Sequence, residues 1–179
     1  MQITLDGFVE GPDGNMDWLL DGNDVWDEMF KDLESVDTYL VGRKMYPGYS
    51  GFWQSMLNDT TADPNLVKYA KLAEKSQHIV FTKGDFKPDW KNTRVAHDLP
   101  GEVAKLKKQD GKDMVSWGGA GFASSLINLG LVDEYRLSLN PTLVTGGKSM
   151  FNSLQKIHRL QLIDSRPLKS GLVILRYKS

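Results

Sequence analysis

Met114-Val115-Ser116-Trp117-Gly118-Gly119-Ala120-Gly121-Phe122 is the stretch whose reading decides the fold. A β-prone run meets three glycines where helical spacing begins, which marks a strand-to-helix junction. Residues without Cβ let a ligand approach the backbone closely. The free N–H groups and the positive end of the following helix dipole both favour an anion there. The same glycines also suit a tight turn and close packing of helix on sheet, and the residues alone leave both readings open. The spacing is not GxGxxG, so the dinucleotide fingerprint of the doubly wound fold is not met.

Working outward, strand and helix alternate on the N-terminal side of this junction. From Asn23, a good N-cap, the apolar residues Trp26, Met29, Phe30 and Leu33 recur at helical spacing on one face. Thr38-Tyr39-Leu40-Val41 reads as a strand that stops at Gly42-Arg43-Lys44. A helix from Leu66 to Lys75 precedes the strand Ile79-Val80-Phe81, which ends in Thr82-Lys83. Arg94-Val95-Ala96 and a helix over Glu102 to Lys108 complete the run before the junction. Such alternation predicts a mainly parallel sheet covered on both faces. Beyond the helix from Ala120 to Leu129 the period changes. Tyr135 to Leu139, Leu160 to Arg166 and Leu172 to Tyr177 read as antiparallel strands, the last two joined at Lys169-Ser170-Gly171 in a hairpin at a sheet edge. Near the start, Asp6-Gly7 and Gly11-Pro12-Asp13-Gly14 predict a loop that stays irregular to about Asn23. Met1 runs almost directly into Ile3-Thr4-Leu5, the tail of a short strand, so some native N-terminal residues are expected to be absent from this chain.

Composition narrows the function classes. A chain of 179 residues with 40% hydrophobic and 25% charged residues suits one folded domain. A formal charge of −1 offers no broad cationic field, which disfavours nucleic acid and anionic membrane as partners. The chain has no cysteine, and His78, His97 and His158 form no ligand cluster, so no metal is expected. No apolar stretch is long enough to span a bilayer and no signal-peptide layout is present, from which a cytoplasmic protein is expected.

Three strand ends carry anion-binding groups: Gly42-Arg43-Lys44, Thr82-Lys83 and the glycine junction. A cation after a strand is usually a solvated loop residue, but in open α/β sheets ligands gather at the carboxyl ends of strands. Carboxylates in or just after the early loop, Asp6, Asp17, Asp24 and Asp27, are candidate proton sources. Each also has a plain structural role open to it in a turn, a helix start or a solvent face. Trp18 suits stacking on a flat heterocycle or filling the core. The aromatic segment Tyr46, Tyr49, Phe52 and Trp53, interrupted by Gly48 and Gly51, suits a pocket wall or an interface.

In combination and order, Thr4-Leu5-Asp6-Gly7-Phe8, Gly42-Arg43-Lys44-Met45-Tyr46, Trp117-Gly118-Gly119-Ala120, Leu131-Val132-Asp133-Glu134-Tyr135 and Gly146-Gly147-Lys148 carry a resemblance over nearly the whole length. The chain resembles the dihydrofolate reductase superfamily, in the branch that includes the reductase domain of riboflavin biosynthesis and many small bacterial reductases. The resemblance implies a dihydrofolate-reductase-like three-layer α/β fold over residues 1–179, with a mostly parallel sheet and an antiparallel C-terminal hairpin. It also implies a homodimer and NADPH-dependent reduction of a small flat heterocycle, pterin- or pyrimidinone-like.

By the same resemblance, Gly42, Arg43 and Lys44 meet the cofactor phosphates, and Thr82 and Lys83 surround the ribose and its 2′-phosphate. Gly118, Gly119, Ala120 and Gly121 cradle the pyrophosphate, and Ile3 and Thr4 face the nicotinamide carboxamide. Asp17 and Asp24 are the catalytic candidates, and Trp18 and Asp6 the substrate-binding ones. Met45 stands where the family often has Thr, which removes a hydroxyl from the phosphate site. A non-catalytic nucleotide-binding or interaction protein on the same fold is the alternative.

Overall fold

The computed structural model describes residues 1–179 and is a mixed α/β fold. Its contacts define two compact units, one from Met1–Glu28 with Ala120–Ser179 and one from Met29–Gly119.

The unit over Met29–Gly119 holds four parallel strands, β3 (Val36–Gly42), β4 (Gln77–Phe81), β5 (Thr93–Ala96) and β6 (Asp113–Val115). Their order across the sheet is β5-β4-β3-β6. Helices α2 (Tyr46–Met56) and α3 (Pro64–Lys75) lie in the crossover from β3 to β4 and α4 (Leu99–Leu106) in that from β5 to β6, while β4 and β5 are joined by an irregular segment. Leu40, Val41, Ile79 and Val80 are buried, as expected of strands covered on both faces. Asp63 caps α3 by accepting from the Asn65 N–H, and Asp98 caps α4 through Gly101, so both helices begin earlier than their apolar spacing indicates.

The other unit contains a sheet in the order β1-β7-β10-β9, built from β1 (Gln2–Thr4), β7 (Glu134–Asn140), β9 (Gln161–Pro167) and β10 (Val173–Lys178). β7, β10 and β9 pair antiparallel, with β9 at the edge of the C-terminal hairpin, while β1 adds parallel to β7. Helix α5 (Ala120–Asn128) packs Ala120, Ala123 and Ile127 with Ile3, Val9 and Met150 into one core, flanked by Leu137, Leu139 and Leu154.

Four elements depart from the sequence expectation. The early loop contains strand β2 (Phe8–Glu10), which pairs antiparallel with β8 (Lys148–Ser149), and a 3-10 turn at Pro12–Gly14. The aromatic segment is helix α2, with Gly48 and Gly51 inside it. Glycine lowers helix propensity, but Pro47 in the first turn and the burial of Tyr46 and Ser50 favour the helix. Helix α1 (Asn23–Glu34) follows its predicted face, with Phe30 and Leu33 buried.

Candidate functional site

In the parallel sheet the strand exits are level, because Gly42 lies opposite Phe81 and Phe81 opposite Ala96. The ladder continues one residue further, with the Arg43 N–H donating to the Phe81 carbonyl at 3.1 Å and the Thr82 N–H to the Ala96 carbonyl at 3.1 Å. Arg43, Lys44, Thr82 and Lys83 therefore emerge at one end of this sheet. Arg43, Lys44 and Lys83 are exposed and pair with no carboxylate. The Arg43 guanidinium lies 3.9 Å from the centre of the Phe86 ring, a cation–ring contact that orients it. His97, just past β5, sets its Nδ1 2.9 Å from the Thr82 carbonyl and braces that exit.

β6 leaves the same end of the sheet, with Val115 opposite Tyr39. After it, Gly118 and Gly119 take φ of 130° and 28°, the left-handed region that glycine enters without Cβ strain. A Cβ built on Gly119 meets nothing within 4 Å, so the space before it is open. The Gly119 N–H donates to the Met45 Sδ at 3.1 Å. Beside the junction, the Ser116 hydroxyl and the Trp117 indole N–H are buried without a protein partner. Exposed cations at level strand ends, an open glycine junction and a buried hydroxyl with no partner fit a phosphate-bearing ligand. Ala120 and Gly121 open α5, which begins the other unit.

In that other unit Ile3 and Thr4 are buried at the end of β1. The Thr4 hydroxyl donates to the Asp6 carboxylate at 2.6 Å and accepts from the Phe8 N–H at 2.9 Å. The second Asp6 oxygen accepts from the Val144 N–H at 3.1 Å, so Asp6 spans two loops with both oxygens engaged. Asp17 is exposed, within 2.9 Å of the Asn15 amide. Trp18 is 8% exposed and its indole N–H has no protein partner.

Asp24 accepts from the Ser170 N–H at 2.8 Å, and this bond holds its carboxyl below the usual value. The same carboxylate therefore anchors the β9–β10 turn to the start of α1. One helical turn later, the buried Glu28 accepts from Arg166, with Arg176 at 4.0 Å. Asn140, fully buried, organises the early loop. Its Oδ1 accepts from the Leu20 N–H at 2.9 Å, and its amide donates to the Gln2 side chain at 3.0 Å and the Ile3 carbonyl at 3.3 Å.

His97, Glu28 and Asn140 were not among the residues the sequence marked for these positions, and Met45 was marked only as the loss of a hydroxyl at the phosphate site, not as the partner of the Gly119 N–H. An Asn before Pro141 at a strand end was the one legible signal, since a buried amide there must find partners. A thioether reaching a backbone N–H has no sequence signature.

The parallel α/β sheet with its cations at level strand ends belongs to a known class of fold, and the chain is a member of the RibD C-terminal domain family, whose model matches residues 1–174. The uncharacterised protein YyaP of Bacillus subtilis strain 168 is 34% identical over 178 residues, covering 99% of this chain and 91% of that protein. A protein ascribed to riboflavin biosynthesis from Shewanella sp. PV-4 shares the fold with a TM-score of 0.76 at 18% identity, over 99% of this chain and 95% of that one. Dihydrofolate reductase from Enterococcus faecalis, solved with NADP(H), shares it with a TM-score of 0.64 at 16% identity, over 99% of this chain and 92% of the other. No helix is long and apolar enough to cross a membrane.

Proposed function

We propose that this protein is an NADPH-dependent reductase of a small, flat, nitrogen-containing heterocycle, pterin- or pyrimidinone-like. The observation that carries the reading is the strand-end array: three unpaired cations, Arg43, Lys44 and Lys83, at the level exits of β3 and β4, with an open glycine junction after β6. Membership of the RibD C-terminal domain family and the shared fold of an NADP(H)-bound dihydrofolate reductase support it.

In this reading Gly42, Arg43 and Lys44 bind cofactor phosphates and Thr82 with Lys83 bind the 2′-phosphate. Gly118, Gly119, Ala120 and Gly121 give the pyrophosphate its backbone donors. Ile3 and Thr4 serve the nicotinamide carboxamide, and Trp18 and Asp6 the substrate. When bound, NADPH supplies the hydride. Asp17 and Asp24 are the candidate catalytic carboxylates, and the Ser170 N–H favours the ionised form of Asp24.

A non-catalytic nucleotide-binding protein is the second reading, and the engagement of Asp24 by the hairpin N–H of Ser170 favours it. Calorimetric titration with NADPH, and NADH as control, is the test. The expected result is binding that prefers NADPH; no binding of either nucleotide defeats both readings. Steady NADPH oxidation with a pterin or pyrimidinone then separates the enzyme from the binder.

A further inference from the structure

The Gly119 N–H is the donor that a phosphate at the β6 exit would take, and in this chain a side chain already occupies it. Met45 reaches across from the β3 exit, its thioether sulfur 3.1 Å from the Gly119 nitrogen. Its own backbone is fixed, because its N–H donates to the Gly42 carbonyl at 3.0 Å and its carbonyl accepts from the Tyr49 N–H at 3.1 Å. The side chain is half-buried, leads into α2 and sits directly after the two cations of the β3 exit. Thus the sulfur lies at the junction of the two loops that offer the most anion-binding groups.

A thioether is a weak acceptor, whereas a phosphate oxygen is charged and forms bonds roughly twice as strong. Gly119 has no side chain, and nothing else fills the space a Cβ would take. The sulfur therefore satisfies the amide when no ligand is present and yields it to a stronger acceptor.

We infer that Met45 is an affinity-setting residue: its sulfur competes with the ligand phosphate for the Gly119 N–H and must leave before that bond forms. The inference rests on the dinucleotide reading above. It predicts that a side chain of similar size without an acceptor tightens binding, which is the opposite of what loss of a ligand-contacting residue would do. Met45→Leu keeps the volume and removes the sulfur. Met45→Thr removes the sulfur and adds a hydroxyl.

The experiment measures the amide resonance of Gly119 in the ligand-free protein and the calorimetric Kd for NADPH, in wild type, Met45→Leu and Met45→Thr, with thermal melts to establish folding. The expected result is a Gly119 amide that shifts in both ligand-free variants and a Kd about threefold to tenfold lower for Met45→Leu. Met45→Thr is expected to bind more tightly than wild type as well, so that one folded variant suffices. NADPH binding that is equal or weaker in the folded variants overturns the competition and leaves the dinucleotide reading standing. An unmoved Gly119 resonance overturns the sulfur contact itself. Absence of NADPH binding in all three proteins removes the dinucleotide reading, and this inference with it.

Discussion

In the proposed reading, Lys83 is the single charge that sets cofactor selectivity. It is exposed, follows Thr82 at the β4 exit, and has no carboxylate partner to satisfy it. A 2′-phosphate is the one group that distinguishes NADPH from NADH, so a cation committed to it contributes to one affinity alone. Lys83→Ala is expected to weaken NADPH roughly tenfold and leave NADH nearly unchanged, as read by paired calorimetric titrations. Equal losses would remove the 2′-phosphate assignment. The cations were legible in the sequence because each directly follows a strand. The carboxylates were not, because what Asp24 does depends on Ser170, 146 residues away.

Among the elements, β2 and β8 show how a contact between distant segments makes structure where local signals point to a loop. Gly147 has φ of 127°, and a Cβ there would lie 2.0 Å from the Glu10 carbonyl oxygen and 2.7 Å from the Gly11 carbonyl carbon. The backbone of 146–147 thus lies directly against the end of β2, a closeness only glycine permits. Gly147→Ala is expected to destabilise the protein by about 3 kcal/mol, because the added methyl meets backbone and cannot be accommodated by a rotamer change. Urea unfolding would read this as a lowered midpoint with unchanged slope. α2 makes the complementary point: its two glycines obscured a helix that tertiary burial of Tyr46 and Ser50 stabilises.

For the whole molecule, His78 in β4 contributes a pH dependence to folding. The ring is buried, stacked between Tyr39 and Trp90 at 5.0 and 4.9 Å, with Nε2 3.0 Å from the Tyr49 hydroxyl. Burial lowers its pKa from 6.5 to about 4. Above about pH 6.5 the ring is neutral in both the folded and the unfolded chain. Between about pH 6.5 and 4 the unfolded chain takes up the proton first, so stability falls as the pH falls through that window. The full loss is on the order of 3 kcal/mol. His78→Phe is expected to lower stability near neutral pH, by stranding the Tyr49 hydroxyl, but to flatten the decline toward acid. Urea midpoints at about pH 7 and about pH 4.5 would show it, and an unchanged slope would sink the assignment.

The sequence by itself determined the alternation of strand and helix, the antiparallel C-terminal hairpin, the strand-end cations and the glycine junction. Each of these depends on spacing and backbone chemistry within about a dozen residues. Only the tertiary structure decided that the β3 and β4 exits are level, that Asp24 serves Ser170, that Asn140 holds Leu20, and that Met45 occupies the Gly119 amide. A buried polar atom must find a partner somewhere, and no local pattern records which distant residue the folded chain will bring to it.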